Sequence, residues 1–340
     1  MRTAVIGAGS WGTAVAWLLG AKGIDVSLWA RESEIADAIN SEHRNPLYLR
    51  DVVLDARVRA TSDVEEAVRG AEAVVMVTPS HGSRGMAKAM KSALPADVPV
   101  VNLSKGVERE TLMRMTEVLE DVLGNRSRLA ALSGPNHAEE VSKGVPSATV
   151  IAAYDEGVGR FLQDMFSSPM FRVYTNTDVI GVELGGASKN VVAVAAGMSD
   201  GLGYGDNTKA TLITRGLAEM SRLGVRLGAN PLTYMGLAGM GDLIVTCTSR
   251  HSRNRALGEW VAKGGTVESY TTETKMVAEG STSAVSIDDL AHAHGLEMPI
   301  THLVRAILFE GHSPEEAGQM LMGRAARDEL HGMVLVDDGE

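Results

Sequence analysis

One lysine stands alone on an apolar stretch. It lies in Leu184-Gly-Gly-Ala-Ser-Lys189-Asn190-Val-Val-Ala-Val-Ala-Ala-Gly197, which carries no other charge. Written as a helix, the positions three and four away from Lys189 are Gly185, Gly186, Val192 and Ala193, with Ala196 one turn further on. A helix lysine is ordinarily a solvated surface residue, and surface lysines rarely sit on a stripe of glycine, alanine and valine. Desolvation on such a face lowers the pKa of an ammonium group and suits it to proton transfer.

A second set of residues suits a dinucleotide. Gly7-Ala-Gly9-Ser10-Trp11-Gly12 follows the apolar run Thr3–Ile6 and opens a helical pattern. In that arrangement Gly7 permits a tight turn, Gly9 lets backbone approach a pyrophosphate, and Gly12 allows close helix–strand packing. The helix N-terminus then offers N–H groups and the positive end of its dipole. The next strand, Asp25–Trp29, runs out into Ala30-Arg31-Glu32, where an NAD-specific site would place only an acid. Arg31 can pair with a 2′-phosphate, and Glu32 can accept from a ribose hydroxyl. The expected cofactor is therefore NADP(H), with NAD(H) accepted alongside it.

Three further polar clusters stand out. Ser104-Lys105-Gly106 and Gly134-Pro135-Asn136 follow apolar strands, and ligands of open α/β sheets bind at carboxyl ends of strands. Gly239-Met-Gly-Asp242 precedes Ser249-Arg-His-Ser252-Arg253-Asn254-Arg255, whose arginines, hydroxyls and amide can grip a phosphate through charge-assisted hydrogen bonds. Cys247, between threonines, reads as packed rather than nucleophilic. His292 and His294 lack the carboxylate or third-histidine spacing of a metal site, so no metal is expected.

These groups need a scaffold. Candidate strands are Thr3–Ile6, Asp25–Trp29, Ala73–Thr78, Val98–Leu103, Leu129–Leu132, Ala148–Ala152 and Phe171–Tyr174. Helical patterns fall at Trp11–Leu19, Ser80–Ala93, Glu110–Leu123 and Glu156–Phe166, and Gly134-Pro135-Asn136 opens another helix. Uniformly apolar strands alternating with helices predict a parallel sheet covered on both faces. After about Asp178 helical runs dominate, at Gly181–Ser199, Thr208–Leu223 and Ser286–Gly295. The expected domains are a dinucleotide-binding unit at 1–180, a helical substrate-binding and catalytic unit at 181–330, and a tail at 331–340.

Composition agrees with an ordinary globular chain. The 340 residues are 44% hydrophobic and 22% charged, a length suited to about two domains. With 32 Lys and Arg against 43 Asp and Glu the net charge is −11, which disfavours nucleic acid and anionic lipid as partners. A single cysteine excludes an internal disulfide and suggests a reducing cytoplasm. No uninterrupted apolar run reaches the ~18 residues of a membrane span. The 17 methionines against four phenylalanines read as filling for a pliable core.

Several motifs, in collinear order along almost the whole chain, carry a family likeness. They are Gly7–Gly12, Asn45-Pro-Leu-Tyr-Leu49, Ser104-Lys-Gly106, Gly134-Pro135, Leu184–Asn190 and Asn207-Thr-Lys-Ala-Thr-Leu-Ile-Thr-Arg-Gly216. Gly236-Leu-Ala-Gly-Met-Gly-Asp242, Thr246-Cys-Thr-Ser249 and Ser252-Arg-Asn254 complete them. Together they resemble the bacterial NAD(P)-dependent glycerol-3-phosphate dehydrogenases. The resemblance implies an α/β, Rossmann-like N-terminal domain, an all-helical C-terminal domain of the 6-phosphogluconate dehydrogenase C-terminal type, and a site between them. It implies reversible reduction of dihydroxyacetone phosphate to sn-glycerol 3-phosphate for phospholipid synthesis. A homodimer is one assembly the sequence leaves open.

By the same resemblance Lys189 is the general acid/base. Lys105, Gly134, Asn136, Lys189, Asp242, Ser252, Arg253 and Asn254 contact substrate. Gly7, Gly9, Ser10, Trp11, Gly12, Arg31, Lys105, Ala138, Arg253, Val277 and Glu279 contact the cofactor. Two positions depart from the usual family pattern: Asn136 stands where a hydroxyl residue is common, and Trp11 where tyrosine is. In this reading Lys105 stabilises the developing oxyanion and depresses the Lys189 pKa, while Asp242 orients the ammonium. Rival readings are another two-domain hydroxy-acid or sugar-acid dehydrogenase and a non-catalytic redox-sensing dinucleotide binder. The second offers no reason for Lys189 on its apolar face.

Overall fold

The computed structural model describes residues 1–274, 276–326 and 328–329, so the tail expected at 331–340 lies outside the described residues. The chain divides into two compact units, Met1–Glu183 and Leu184–Glu340.

The first unit is built on an eight-stranded sheet. Its strands are β1 Arg2–Ile6, β2 Asp25–Trp29, β3 Val58–Thr61, β4 Ala73–Met76, β5 Val100–Asn102, β6 Leu129–Ser133, β7 Ser147–Ala153 and β8 Phe171–Asn176. They lie in the order β3-β2-β1-β4-β5-β6-β7-β8. Successive side chains of a strand point to opposite faces. Ala4, Ile6, Val74, Met76, Val100 and Leu129 therefore pack with Ala67, Met90 and Leu119 on one face. Val5, Val75, Val101 and Leu132 pack on the other with Val15, Leu19, Leu162 and Phe166. Helices cover both faces, which is why the strands read as apolar throughout rather than alternating.

The sheet is not wholly parallel. β1 to β6 pair in parallel, but β7 runs antiparallel to β6, with Ala131 opposite Ala152, and β8 returns parallel to β7. An apolar strand carries no direction in its sequence, so this reversal had no signal. Strand β3 and the helices Ser33–Glu42 and Val64–Val68 also escape the sequence reading, because each is short and half polar. Helix Ser33–Glu42 buries only Ile35, Ala36 and Ile39 before His43 ends it in the left-handed region at φ 53. The helix expected at Glu110–Leu123 begins at Met115. Its first residues instead make a turn, with Leu112 at φ 58 and Val107 bridged to Arg114. Ser80–Ala93 divides into a 3₁₀ turn, Ser80–Gly82, and the helix Ser83–Met90.

The second unit contains helices and no strand among its described residues. Helices Val179–Gly201 and Arg253–Ala262 cross through glycines. A Cβ on Gly197 would lie 1.9 Å from the Arg255 carbonyl, and one on Gly258 would lie 2.0 Å from that of Val194. Val191, Val194, Met198, Leu257, Val261 and Tyr270 form the core around this crossing. Helix Pro299–Phe309 starts on a buried carboxylate, since Glu219 accepts from the amides of Ile300 at 2.8 Å and Thr301 at 3.2 Å. Burial pushes that carboxyl up to about 7.

Helix Val179–Gly201 is long and apolar enough by length and composition to cross a membrane, with mean hydropathy 1.3. Its most apolar window is 94% buried inside the protein, the position of a core helix. Methionines divide between core and surface. Met76, Met90, Met115 and Met165 are buried, whereas Met235, Met276, Met320 and Met322 are exposed, so core filling accounts for only part of them.

Candidate active site

The glycine motif lies at the turn between β1 and the helix Ser10–Ala21. β1 pairs with β2 on one side and β4 on the other, so the chain leaves the sheet where strand order reverses, the crevice in which such sheets take ligands. Gly7 has φ +128, and a Cβ there would lie 3.0 Å from the Val77 carbonyl. A Cβ on Gly12 would lie 1.7 Å from the Gly7 carbonyl, whereas one on Gly9 would meet nothing within 4 Å. The helix therefore packs hard on the turn at Gly12 and leaves space before Gly9. That space, beside the amides of the first helical turn, fits a dinucleotide pyrophosphate.

Asn45 holds this loop in place. Fully buried, it donates from Nδ2 to the Ala8 carbonyl at 2.8 Å and to Thr13 Oγ1 at 2.9 Å. Its Oδ1 accepts from the amides of Leu47 and Tyr48, both at 3.0 Å. In the sequence the only local signal for this role of Asn45 is the Asn-Pro turn pair.

The other residues expected from this unit follow strand ends. Arg31 and Glu32 come just after β2, where the Arg31 guanidinium donates twice to Glu32 Oε1, at 2.8 and 2.6 Å. The two candidate ribose-end readers are thus ion-paired with each other. Lys105 follows β5 in a turn fixed by Asn102, whose side chain donates to the Ser104 carbonyl at 2.8 Å and accepts its amide at 3.2 Å. Gly134 and Asn136 follow β6. Asn136 donates to the Ala148 carbonyl at 2.9 Å, and its buried Oδ1 has no partner among the described residues, leaving an acceptor for a ligand hydroxyl. The helix expected from Gly134 starts at Ala138 and runs only to Val141.

In the second unit Lys189 is buried, its side chain 7% exposed. The sequence showed no charge on its own helix face, and the counter-charge arrives from another helix. Lys189 Nζ lies 2.5 Å from Asp242 Oδ1 and 2.6 Å from Thr246 Oγ1. Asp242 and Thr246 are one turn apart on the helix Asp242–Thr248, so both reach the same ammonium. Thr246 in turn donates to the Asp242 carbonyl at 2.6 Å. A π-helical turn, Leu237–Gly241, feeds this helix and sets where Asp242 enters it, and such turns gather at functional sites. A Cβ on Gly185 would lie 2.7 Å from the Ala238 carbonyl, so that glycine lets the lysine's helix approach the turn. Thr246 was missed as a site residue, although its spacing from Asp242 was the available signal.

Ser252 caps the helix Arg253–Ala262, its Oγ accepting from the Arg255 amide at 3.2 Å. Two arginines of the cluster separate here. Arg255 is committed to Asp200 at 2.7 Å and Glu259 at 2.5 Å, while no acid pairs with Arg253 among the described residues. Asn254 donates to Asn190 Oδ1 at 2.9 Å and accepts from the Gly280 amide at 2.8 Å. It thereby ties the residue after Lys189 to the start of the helix that Glu279 opens. Val277 lies just before that helix and is exposed. Cys247 is buried, which pushes its thiol up to about 12 and removes it as a nucleophile.

Comparison with known proteins decides the family. The family model for the NAD-dependent glycerol-3-phosphate dehydrogenase N-terminus matches residues 2–158, and that for the C-terminus matches residues 178–319. The chain belongs to the NAD-dependent glycerol-3-phosphate dehydrogenase family. A glycerol-3-phosphate dehydrogenase [NAD(P)+] of Salinibacter ruber is 49% identical over 327 residues, 96% of each chain. The enzyme of that name from Thermobifida fusca is 49% identical over 334 residues, covering 98% of this chain and 99% of its own. The crystal structure of glycerol-3-phosphate dehydrogenase from Coxiella burnetii superposes with a TM-score of 0.91 at 37% identity, over 95% of this chain and 99% of that one. Membership in this family bears out the Rossmann-like and helical fold class expected from the sequence.

Proposed function

We propose that this chain catalyses the reversible NAD(P)H-dependent reduction of dihydroxyacetone phosphate to sn-glycerol 3-phosphate, which feeds glycerophospholipid synthesis in the cytoplasm. The observation that carries this reading is the buried Lys189–Asp242–Thr246 cluster within a chain of this family. A dinucleotide held at the Gly7–Gly12 turn would supply the hydride chemistry at the ketone carbon. Lys189 Nζ gives the proton to the carbonyl oxygen as that oxygen gains negative charge. Asp242 fixes the ammonium's direction, and Thr246 holds a second of its N–H groups.

Arg253 and Asn254, at a capped helix start, bind the phosphate and spend remote binding energy on placing the carbonyl. Lys105, Gly134, Asn136 and Ser252 complete the substrate contacts in this reading. Gly7, Gly9, Ser10, Trp11, Gly12, Ala138, Val277 and Glu279 serve the cofactor.

The direct test is oxidation of NADPH that depends on dihydroxyacetone phosphate, repeated with NADH and with a panel of hydroxy-acid and sugar-acid substrates. Turnover on the panel but none on the phosphorylated ketone overturns the assignment. Arg253→Ala raises KM for the ketone by roughly 10–100-fold, the loss of a charged hydrogen bond, with a smaller change in kcat. Unchanged saturation would place the phosphate anchor elsewhere.

Arg31 reads the 2′-phosphate once that group displaces Glu32 from the guanidinium. Arg31→Ala therefore lowers kcat/KM for NADPH about tenfold or more and leaves NADH nearly unchanged. A strong NADH preference in the parent, untouched by the substitution, removes Arg31 from the site.

A further inference from the structure

We propose that Asp288, His292 and His302 form a binding site for a divalent transition-metal ion, Zn²⁺ first among them, that clips helix Glu279–Ala293 to helix Pro299–Phe309. His292 and His294 by themselves lack the ligand spacing of a metal site, and the fold supplies the missing ligands. Asp288 stands one helical turn before His292, and the next helix brings in His302.

One ligand atom from each of the three residues lies within 4.8 Å of the other two. Asp288 Oδ1 is 3.6 Å from His292 Nδ1, and Asp288 Oδ2 is 3.3 Å from His302 Nδ1. Two ligands sharing a tetrahedral ion at about 2.0–2.1 Å stand roughly 3.4 Å apart, which the Asp288 Oδ2–His302 Nδ1 separation already matches, while His292 turns to present Nε2. The imidazole rings meet edge to face, with centroids 5.8 Å apart.

The donor chemistry selects the ion. Two imidazoles and one carboxylate suit Zn²⁺, Co²⁺ or Ni²⁺ and are poor for Ca²⁺ or Mg²⁺, which take oxygen ligands. His292 Nδ1 lies 2.8 Å from the Asp288 main-chain carbonyl. A carbonyl only accepts, so Nδ1 carries the proton and the lone pair resides on Nε2. Metal-bound histidines are commonly fixed by this same kind of outer hydrogen bond.

The carboxylate is the fixed member, 3% exposed, whereas His292 at 64% and His302 at 53% can rotate to close on an ion. Arg305 provides the cation at present, with Nη1 3.2 Å from Asp288 Oδ2 and 2.5 Å from Asp289 Oδ1. Its Nε lies 3.4 Å from Glu310 Oε1. When the ion takes Asp288, the guanidinium keeps Asp289 and Glu310 as partners.

The test is titration of chelator-treated full-length protein with Zn²⁺ by calorimetry, and with Co²⁺ by visible absorption. Saturable binding of one ion per chain is expected, with a tetrahedral or five-coordinate Co²⁺ spectrum. At about 100 times the dissociation constant, Zn²⁺ should raise Tm by roughly 4 °C. His292→Ala and His302→Ala should each weaken binding by at least about tenfold, while His294→Ala leaves it unchanged. Arg305→Gln removes the competing cation and should tighten it.

Absence of saturable binding, or binding indifferent to both histidine substitutions, overturns the site. The readout is ion binding and Tm, so its failure leaves the proposed dehydrogenase activity standing.

Discussion

Lys189→Ala lowers kcat by about 10²–10⁴-fold, the range contributed by a positioned general acid, while the dissociation constant for NADPH stays near that of the parent. The separation follows from where the side chain sits. Its ammonium is held by Asp242 and Thr246 inside the helical unit, whereas the glycine turn that fits the pyrophosphate belongs to the sheet unit. In the proposed mechanism, removing the lysine takes away the proton meant for the carbonyl oxygen, but none of the groups assigned to the dinucleotide's phosphates. The measurements are steady-state kinetics with both substrates and fluorescence titration with NADPH. A near-normal kcat would remove Lys189 from the chemistry. A fall in kcat matched by an equal loss of NADPH affinity would make its role structural.

Asp242→Ala is expected to cost about 3–5 kcal/mol of stability and most of the activity. Its carboxylate is 2% exposed and its partner 7%, so the substitution strands a buried ammonium without its counter-ion. Two effects then oppose each other, since a buried pair also pays for leaving water and is worth little net against a well-packed apolar pair. The double variant Lys189→Met/Asp242→Leu should therefore recover much of the lost stability and none of the activity. Thermal and urea unfolding of the single and double variants, read as a double-mutant cycle, measure the coupling. An Asp242→Ala protein as stable as the parent would mean that the pair is not the buried contact described. Equal loss in the single and double variants would mean that packing rather than charge sets the cost.

Much of the arrangement was legible where physics acts over a few residues. The Gly7–Gly12 turn reads directly, because the tight turn at Gly7 and the packed helix at Gly12 each require a missing Cβ at a fixed offset. The helix around Lys189 reads from its apolar stripe, and strand β1 and helix Glu156–Phe166 from period and composition. The local pattern failed at Val58–Thr61 and Ser33–Glu42, which bury too few residues to raise a periodic signal.

The rest depends on distance in the chain. Asp242 and Thr246 are 53 and 57 residues from Lys189, and nothing local says which helix faces which. The sequence laid out Ser249–Arg255 as one cationic patch, and the fold then drew Arg255 away to Asp200 and Glu259. His292 looked solitary until helix Pro299–Phe309 carried His302 to Asp288. Sequence by itself determined the apolar strands that give way to helices, the glycine turn after β1 and a lysine unsuited to the surface, because steric and helical-period rules act within a few residues. Only the tertiary structure decided which charge that lysine meets, since partner choice is made by glycine-mediated helix crossings between segments far apart in the chain.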